Sequence, residues 1–341
     1  MNGLQRWIIE LGHPPVAPLI GYPGARLTET TLRQNLSDAE TQTQSILAAH
    51  KRWPADIVLP MMDLSVEAGA LGLSVRFPDD ESPTVEEHPI RQASDLDRFR
   101  NIDILTNPRL QSFLRTLSNL SDLSDTALCA YVVGPFTLAG LLMGASEIAM
   151  ATIRNRDLVH QVVAFAARVV EVYAVECIAA GAVGVIILEP TATLLSPAAF
   201  EEFSGQHVAG LAERLAGISV LHVCGQTTAL LDAMCDTGVD GLSLDAPVNF
   251  PGIIDHVPSS VIMIGNVDPV HVMGTDDTGE VQTEVERLRA GMAGHRNFIL
   301  STGCDLPLET PPENIDTFLI TARQVNHPAD DESDQHCEET T

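Results

Sequence analysis

The chain has little positive charge, few cysteines and few aromatic residues. Its 341 residues carry 19 Lys+Arg against 46 Asp+Glu, a formal net charge of −27, and Lys51 is the only lysine. This charge argues against sequence-independent binding to nucleic acid, because that affinity comes from cations that neutralise phosphates. It also argues against docking on an anionic membrane surface.

Long hydrophobic runs are absent as well. The longest apolar stretch, residues 177–188, has twelve residues and ends at Glu189, whereas a membrane-spanning helix needs about 20. The N-terminal segment has Glu10 inside its only apolar run and lacks the cleavage pattern of a secretory signal. We therefore expect a cytoplasmic protein whose six cysteines are reduced thiols and not a disulfide framework.

Several common catalytic motifs are also missing. The sequence contains no Gly-x-Ser-x-Gly elbow, no Gly-x-Gly-x-x-Gly loop and no Walker A loop. The usual sequence support for a serine hydrolase or a nucleotide-binding protein is therefore lacking.

What is present is an alternation of short apolar runs with longer helical stretches. The runs are continuous in Val, Ile and Leu, which is typical of parallel strands buried on both faces. Helical periodicity is clearest over residues 160–180, which Gly181 follows. The eight predicted strands are residues 17–20, 56–61, 128–133, 183–188, 219–223, 241–244, 261–264 and 298–301.

Eight strands with helical crossovers predict a closed (β/α)8 barrel, with a doubly wound open sheet as the alternative. We expect a single barrel domain over residues 1–327 with an N-terminal helical extension and an insertion between Ser65 and Ala127. Residues 328–341 contain six acidic residues and no large apolar one. They are expected to form a disordered acidic tail, in which Cys337 is incidental.

Two short motifs place a histidine and two cysteines at strand ends, where such barrels keep their chemistry. His222 and Cys224 lie in Leu-His-Val-Cys-Gly, and extended chain points both side chains to the same face. Cys304 follows the last predicted strand. One imidazole and two thiolates with an open fourth position are typical of catalytic zinc, although each residue could instead be a packing residue. Packing is the expected role of the other three body cysteines, Cys129, Cys177 and Cys235.

Four further segments occur in a characteristic order, namely DIVLPMMDLSVEAGALG at 56–72, VVGPFTLAGLL at 132–142, IGNVDP at 264–269 and LPLETPPENI at 306–315. Taken together, they resemble the uroporphyrinogen decarboxylase superfamily. The resemblance runs from about residue 15 to 326 and implies the same (β/α)8 barrel, with Asp63 as the pocket aspartate.

The chain departs from the decarboxylase branch of that superfamily. Decarboxylases carry an Arg-Gln-Ala-Gly-Arg motif for substrate carboxylates, whereas GYPGARLTE here has only Arg26. They also have Gly-His-Gly where residues 303–305 are Gly-Cys-Asp. The methylcobamide:coenzyme M methyltransferase branch carries His-x-Cys and a distant Cys as zinc ligands, a pattern that His222, Cys224 and Cys304 match.

This resemblance implies a zinc-dependent enzyme that moves a methyl group between a methyl-Co(III) corrinoid, carried on a partner corrinoid protein, and a thiol such as coenzyme M. The three zinc ligands would be its catalytic groups. Asp63, Glu189 and Asp245 lie near predicted strand ends and are candidates for substrate binding. Each could also support His222 or supply the fourth zinc ligand, and a helix-capping or loop role is the alternative. Two other functions stay open: a cofactor-free decarboxylase, and a noncatalytic barrel that binds a corrinoid or tetrapyrrole.

Overall fold

The computed structural model describes residues 1–123 and 126–324. The predicted acidic tail over 328–341, with Cys337, lies outside the described residues.

The centre of the fold is a parallel sheet of seven strands in the order β1-β4-β5-β6-β7-β8-β9. Every neighbouring pair in this sheet is parallel, and β4 to β9 are buried along almost their whole length. The strands are β1 Ile57–Val58, β2 Val75–Arg76, β3 Thr84–Val85, β4 Ala127–Val133, β5 Gly184–Leu188, β6 Ile218–Val223, β7 Gly241–Leu244, β8 Ile262–Val267 and β9 Phe298–Thr302.

The segment around Val16 occupies the eighth position and links the two edges of this sheet. Val16 forms a parallel bridge to Leu300 in β9, and its carbonyl accepts the N–H of Asp56, next to β1, at 3.0 Å. The strand predicted over 17–20 is not formed, and the bridge lies one residue earlier, at Val16. Pro18 gives the physical reason, because proline has no N–H to donate to a ladder. The fold is a (β/α)8-type barrel, and the open-sheet alternative is wrong.

Helices surround the barrel, and the predicted helix over 160–180 is confirmed as the longest of them. The helices are α1 Gly3–Leu11, α2 Pro23–Leu27, α3 Leu32–Asn35, α4 Ala39–Arg52, α5 Val66–Ala70, α6 Pro108–Leu120, α7 Pro135–Met143, α8 Ala145–Arg154, α9 Arg156–Ala179, α10 Pro197–Phe200, α11 Gln206–Arg214, α12 Leu231–Cys235, α13 Phe250–Ile253, α14 Thr278–Gly291 and α15 Pro312–Arg323. The stretch predicted as an insertion contains α5, α6 and the antiparallel β2–β3 hairpin.

The N-terminal helix closes the lower end of the barrel. Leu4 of α1 is buried in the inner core with strand residues such as Val220 and Ile262. The Asn2 side chain donates to the carbonyls of Asp240 at 3.2 Å and Ser260 at 2.7 Å, just before β7 and β8. The N-terminal helix therefore covers the amino ends of the strands, and the predicted site residues lie at the opposite, carboxyl ends.

In the described part of the chain, no single helix is long and apolar enough to cross a membrane. The pair α7 and α8 meets that criterion only jointly, and the two helices are bent by 102° at their junction.

Candidate metal centre

His222 and Cys224 reach the same side of the barrel from the end of β6. The alternation along the strand puts Val220 into the inner core, and the same parity carries His222 and Cys224 to the interior. Gly225 then turns the chain with a φ of 82°, a conformation that favours glycine. Its N–H donates to Asp245 Oδ2 at 2.8 Å, which fixes the turn directly behind Cys224.

Cys304 approaches from the loop after β9, which is held on both sides. The Thr302 hydroxyl donates to the Cys304 carbonyl at 2.8 Å and accepts the Leu19 N–H at 3.1 Å. A Cβ at Gly303 would lie 2.6 Å from the backbone nitrogen of Ala246. Only glycine permits this close approach of the loop after β9 to the loop that follows β7.

The three donor atoms form a triangle of the size that a tetrahedral zinc ion requires. Cys224 Sγ lies 3.6 Å from Cys304 Sγ, and His222 Nε2 lies 3.1 Å from Cys224 Sγ and 3.7 Å from Cys304 Sγ. Zinc bonds of about 2.3 Å to sulfur and about 2.0 Å to nitrogen imply tetrahedral edges of about 3.8 and about 3.5 Å. The donor set therefore fits zinc in both chemistry and size.

No carboxylate in residues 1–123 and 126–324 joins this triangle. His222, Cys224 and Cys304 are the described group of His, Cys, Asp and Glu donors that lie within 4.8 Å of one another. Three protein ligands leave a fourth position open, which is the arrangement of catalytic zinc sites, whereas structural sites use four.

Each of the two cysteine thiols shifts the pKa of the other. The pKa of Cys224 lies below its ordinary value because Cys304 can donate a hydrogen bond to the Cys224 thiolate, although burial opposes this shift. The same hydrogen bond, followed by burial, raises the pKa of Cys304. The pair therefore eases ionisation of Cys224, and the thiolate is the form of cysteine that binds a metal ion.

The imidazole is oriented by Ser243, which the sequence analysis did not single out. His222 Nδ1 lies 2.9 Å from Ser243 Oγ, and the side chain of His222 is buried. When Nε2 is left unprotonated for a metal, Nδ1–H is the donor to this hydroxyl. The parallel register pairs His222 with Ser243 on β7, so the contact follows from strand pairing, which no local motif reveals.

Glu189 and Asp245 lie at the expected strand ends, and their oxygens are already engaged by other groups. Glu189 accepts the N–H groups of Phe136 at 2.9 Å and Thr137 at 2.8 Å, and the Ser204 hydroxyl at 2.8 Å. It therefore holds the N-terminus of α7. Asp245 accepts the Gly225 N–H, described above, and the Ala246 N–H at 2.7 Å.

Asp63 is also engaged, in this case in a buried ion pair. Its side chain is fully buried and contacts Arg109, whose side chain is 18% exposed. Asp63 Oδ1 additionally accepts the Ser65 N–H at 2.8 Å. Burial lowers the pKa of Arg109 to about 10, which still leaves the guanidinium charged at neutral pH. The guanidinium also lies over the Phe77 ring, 4.7 Å from its centroid.

The comparison with family models covers nearly the whole chain. Residues 10–325 match the family model described as uroporphyrinogen decarboxylase (URO-D). The chain belongs to this family. The fold and the resemblance inferred from the four sequence segments are thereby confirmed.

Relatives within this family have different activities. One is the methylcobamide:CoM methyltransferase MtbA of Methanosarcina mazei, 26% identical over 299 residues, which are 85% of this chain and 86% of the relative. Another is the uroporphyrinogen decarboxylase of Methylobacillus flagellatus, 27% identical over 303 residues, with 85% and 84% covered.

Solved structures support the fold. A methyltransferase from Methanosarcina mazei superposes with a TM-score of 0.85 at 22% identity, covering 93% of this chain and 97% of that chain. A B12-independent methionine synthase from Shewanella sp. W3-18-1 superposes with a TM-score of 0.58 at 13% identity, covering 91% and 97%. At these identities the likeness concerns the barrel alone.

Proposed function

We propose that this protein is a zinc-dependent methyltransferase that moves a methyl group between a methyl-Co(III) corrinoid, carried on a partner corrinoid protein, and a thiol. The observation that carries this proposal is the convergence of His222, Cys224 and Cys304 with an open fourth position. The methyltransferase relative from Methanosarcina mazei supports it. A cytoplasmic setting belongs to the proposal, because both thiols must stay reduced to bind a metal.

The proposed reaction is a displacement at the methyl carbon. The acceptor thiol releases its proton to solvent, and its sulfur lone pair forms the new bond to carbon. The carbon–cobalt bond breaks heterolytically, so its electron pair stays on cobalt and Co(III) becomes Co(I). A zinc ion held by His222, Cys224 and Cys304 would supply Lewis acidity, because coordination lowers the pKa of a thiol from its free value of about 8.5.

The residues of this chain have separable roles in the proposal. His222, Cys224 and Cys304 would hold the metal, and the two cysteine ligands give a soft, electron-rich donor set. Ser243 would orient the imidazole. The carboxylates of Asp63, Glu189 and Asp245 already accept hydrogen bonds from this chain. We therefore propose that they contribute to substrate binding indirectly, by positioning the loops at the open end of the barrel.

The second candidate function is decarboxylation of a uroporphyrinogen, which the decarboxylase relative at 27% identity favours. Such a substrate has many carboxylates and needs cations or backbone donors around it. Arg26 instead directs Nη1 to the carbonyls of Leu308 at 3.5 Å and Thr310 at 3.4 Å. The donor chemistry of the metal centre therefore favours methyl transfer.

The test is metal analysis combined with a spectral assay of methylcobalamin demethylation by a panel of thiols. We expect about one zinc ion per chain and growth of the cob(I)alamin spectrum in the wild type. Cys304→Ala should lose both, whereas Cys235→Ala, on α12 and outside the metal centre, should lose neither. Wild-type protein that contains no zinc, or that contains zinc but demethylates no corrinoid, would contradict the proposal. Release of carbon dioxide from a uroporphyrinogen by metal-free protein would establish the second candidate.

A further inference from the structure

Cys224 and Cys304 bring two sulfur atoms into direct contact at the carboxyl ends of the strands. The two sulfurs are 3.6 Å apart, whereas a disulfide bond joins sulfurs at about 2.05 Å. The remaining approach is about 1.5 Å, which is less than a sulfur moves when its side chain changes rotamer. The pair is therefore within reach of a disulfide by side-chain rotation.

The backbone next to both cysteines is held in place, so the chain itself keeps the two sulfurs together. Directly after the first cysteine, the Gly225 N–H donates to Asp245 Oδ2 at 2.8 Å. Directly before the second, the Gly303 N–H donates to the Val267 carbonyl at 2.8 Å. These bonds join the loops that follow neighbouring strands of the barrel, so the contact between the sulfurs is built into the sheet.

The other body cysteines differ from this pair in access or in place. Cys129 and Cys177 are buried, with exposed fractions of 6% and 0%. Cys235, on α12, is half-buried like Cys224 and Cys304, but it lies outside the metal centre. Oxidation of cysteine follows access to the sulfur and the presence of a second cysteine that can resolve the first product. Both conditions are met together at Cys224 and Cys304.

We propose that Cys224 and Cys304 form a redox switch, in which a peroxide joins them in a disulfide and the metal is released. The consequence rests on the proposed function, because the thiolate is the metal ligand and a disulfide removes two of the three protein ligands. The proposed reaction also leaves cobalt as Co(I), a reduced state that a peroxide oxidises. Loss of the metal therefore stops methyl transfer under conditions in which its cobalt product would be consumed.

The oxidation balances with the peroxide as the only oxidant. The sulfur of one cysteine attacks a peroxide oxygen, the oxygen–oxygen bond breaks, and a sulfenic acid and water form. The sulfur of the other cysteine then attacks the sulfenic sulfur and displaces its oxygen as a second water. Two electrons pass from the two sulfurs to the peroxide. The two protons that the waters require come from the thiols, or from solvent where the sulfurs are metal-bound thiolates.

The test titrates zinc-loaded protein with hydrogen peroxide and follows three quantities. Free thiols are counted after unfolding, zinc release is followed with a chromogenic chelator, and linked peptides are identified by mass spectrometry. We expect one equivalent of peroxide to remove two of the six thiols and to release about one zinc ion per chain. The peptides that contain Cys224 and Cys304 should then be linked. Dithiothreitol with added zinc should restore both the thiols and the zinc content.

The variants show which cysteines are responsible. Cys235→Ala removes a half-buried cysteine outside the pair and is the matched control. It should form the same disulfide and release zinc with the same dependence on peroxide. Cys304→Ala leaves Cys224 without its partner, so peroxide should form no disulfide that contains Cys224.

The outcomes distinguish this inference from the proposed function. Sulfinic acid without a disulfide, a link from either cysteine to Cys235, or a disulfide that leaves zinc bound would each overturn the inference and leave the methyltransferase intact. Wild-type protein that contains no zinc would contradict the proposed function. In that protein the peptide analysis still decides whether the two sulfurs are a redox pair, because formation of the disulfide supports the pair and its absence overturns it.

Discussion

The buried carboxyl group of Glu67, on α5, predicts how the free energy of unfolding changes with pH. Its side chain is 1% exposed, and Oε1 accepts the Val133 N–H at the end of β4 at 2.7 Å. Burial raises the pKa of Glu67 from 4.5 to about 7, and this hydrogen bond offsets only part of the rise. Above that pH the folded protein must hold a buried negative charge. Glu67→Gln removes the charge and keeps an acceptor for Val133.

The direction and size of the effect on the free energy of unfolding follow from the pKa of Glu67 in the unfolded and the folded protein. Because the folded pKa is raised, the stability associated with this group is complete below about pH 4.5 and is lost as the pH rises to about 7. Each pH unit between these values costs about 1.4 kcal/mol, so the total loss is about 3–4 kcal/mol at most. Glutamine does not titrate, so the variant escapes this loss. We expect Glu67→Gln to match the wild type near pH 4.5 and to exceed its free energy of unfolding by up to about 3–4 kcal/mol at pH 8.

The assay is equilibrium unfolding in urea, followed by circular dichroism, at several pH values between 4.5 and 8.5. Glu10→Gln removes one exposed acid from α1 and serves as the control for the change in net charge. The difference between Glu67→Gln and the wild type should grow with pH, and that of the control should stay flat. A difference that is the same at both ends of the range would refute the reasoning, because it would mean that burial does not disfavour the charged form.

Three further predictions concern the metal centre and its surroundings. Ser243→Ala should weaken zinc binding about 10- to 100-fold in a chelator competition. An unchanged zinc affinity would show that Ser243 does not orient His222 for the metal. Arg109→Met should cost about 3–5 kcal/mol of unfolding free energy by leaving the Asp63 carboxylate unpaired, and adding Asp63→Leu should recover most of that loss. Gly225→Ala and Gly238→Ala both force alanine into a left-handed conformation, with φ of 82° and 74°, at about 1–2 kcal/mol each. Only Gly225→Ala should also lower zinc content, and equal zinc loss in both would contradict the role assigned to its turn.

The parallel strands are largely predictable from the sequence because both of their faces are buried. The run 241–244 is continuously apolar or small and coincides with β7, and most other strands differ from the prediction by a residue or a few. The segment 17–20 has the same apolar character and forms no strand, and the bridge lies beside it at Val16. An apolar segment is expected to be buried, but a strand also needs backbone N–H donors in register with its neighbour. Pro18 has no N–H, so this segment lacks one of those donors.

The candidate metal ligands are predictable for a local reason, whereas the residues that support them are not. His222 and Cys224 share a face because of strand alternation, which depends only on spacing. Ser243 is reached through the register of β6 with β7, and Glu189 finds the N-terminus of α7 through packing of distant segments. Neither relation has a sequence signature.

Overall similarity cannot separate the two activities found among the relatives, since the methyltransferase is 26% identical and the decarboxylase 27%. A percentage identity counts positions over the whole of a shared barrel, whereas the reaction depends on a few groups at its open end. There, a decarboxylase needs cations for many carboxylates, yet Arg109 is already paired with Asp63. A methyl transfer to sulfur needs a soft metal site, and two cysteines and a histidine lie at tetrahedral spacing. The chemistry of these donors therefore favours methyl transfer, a choice that the percentage identities do not make. The choice depends on one result, namely that Cys304→Ala loses both zinc and demethylation activity.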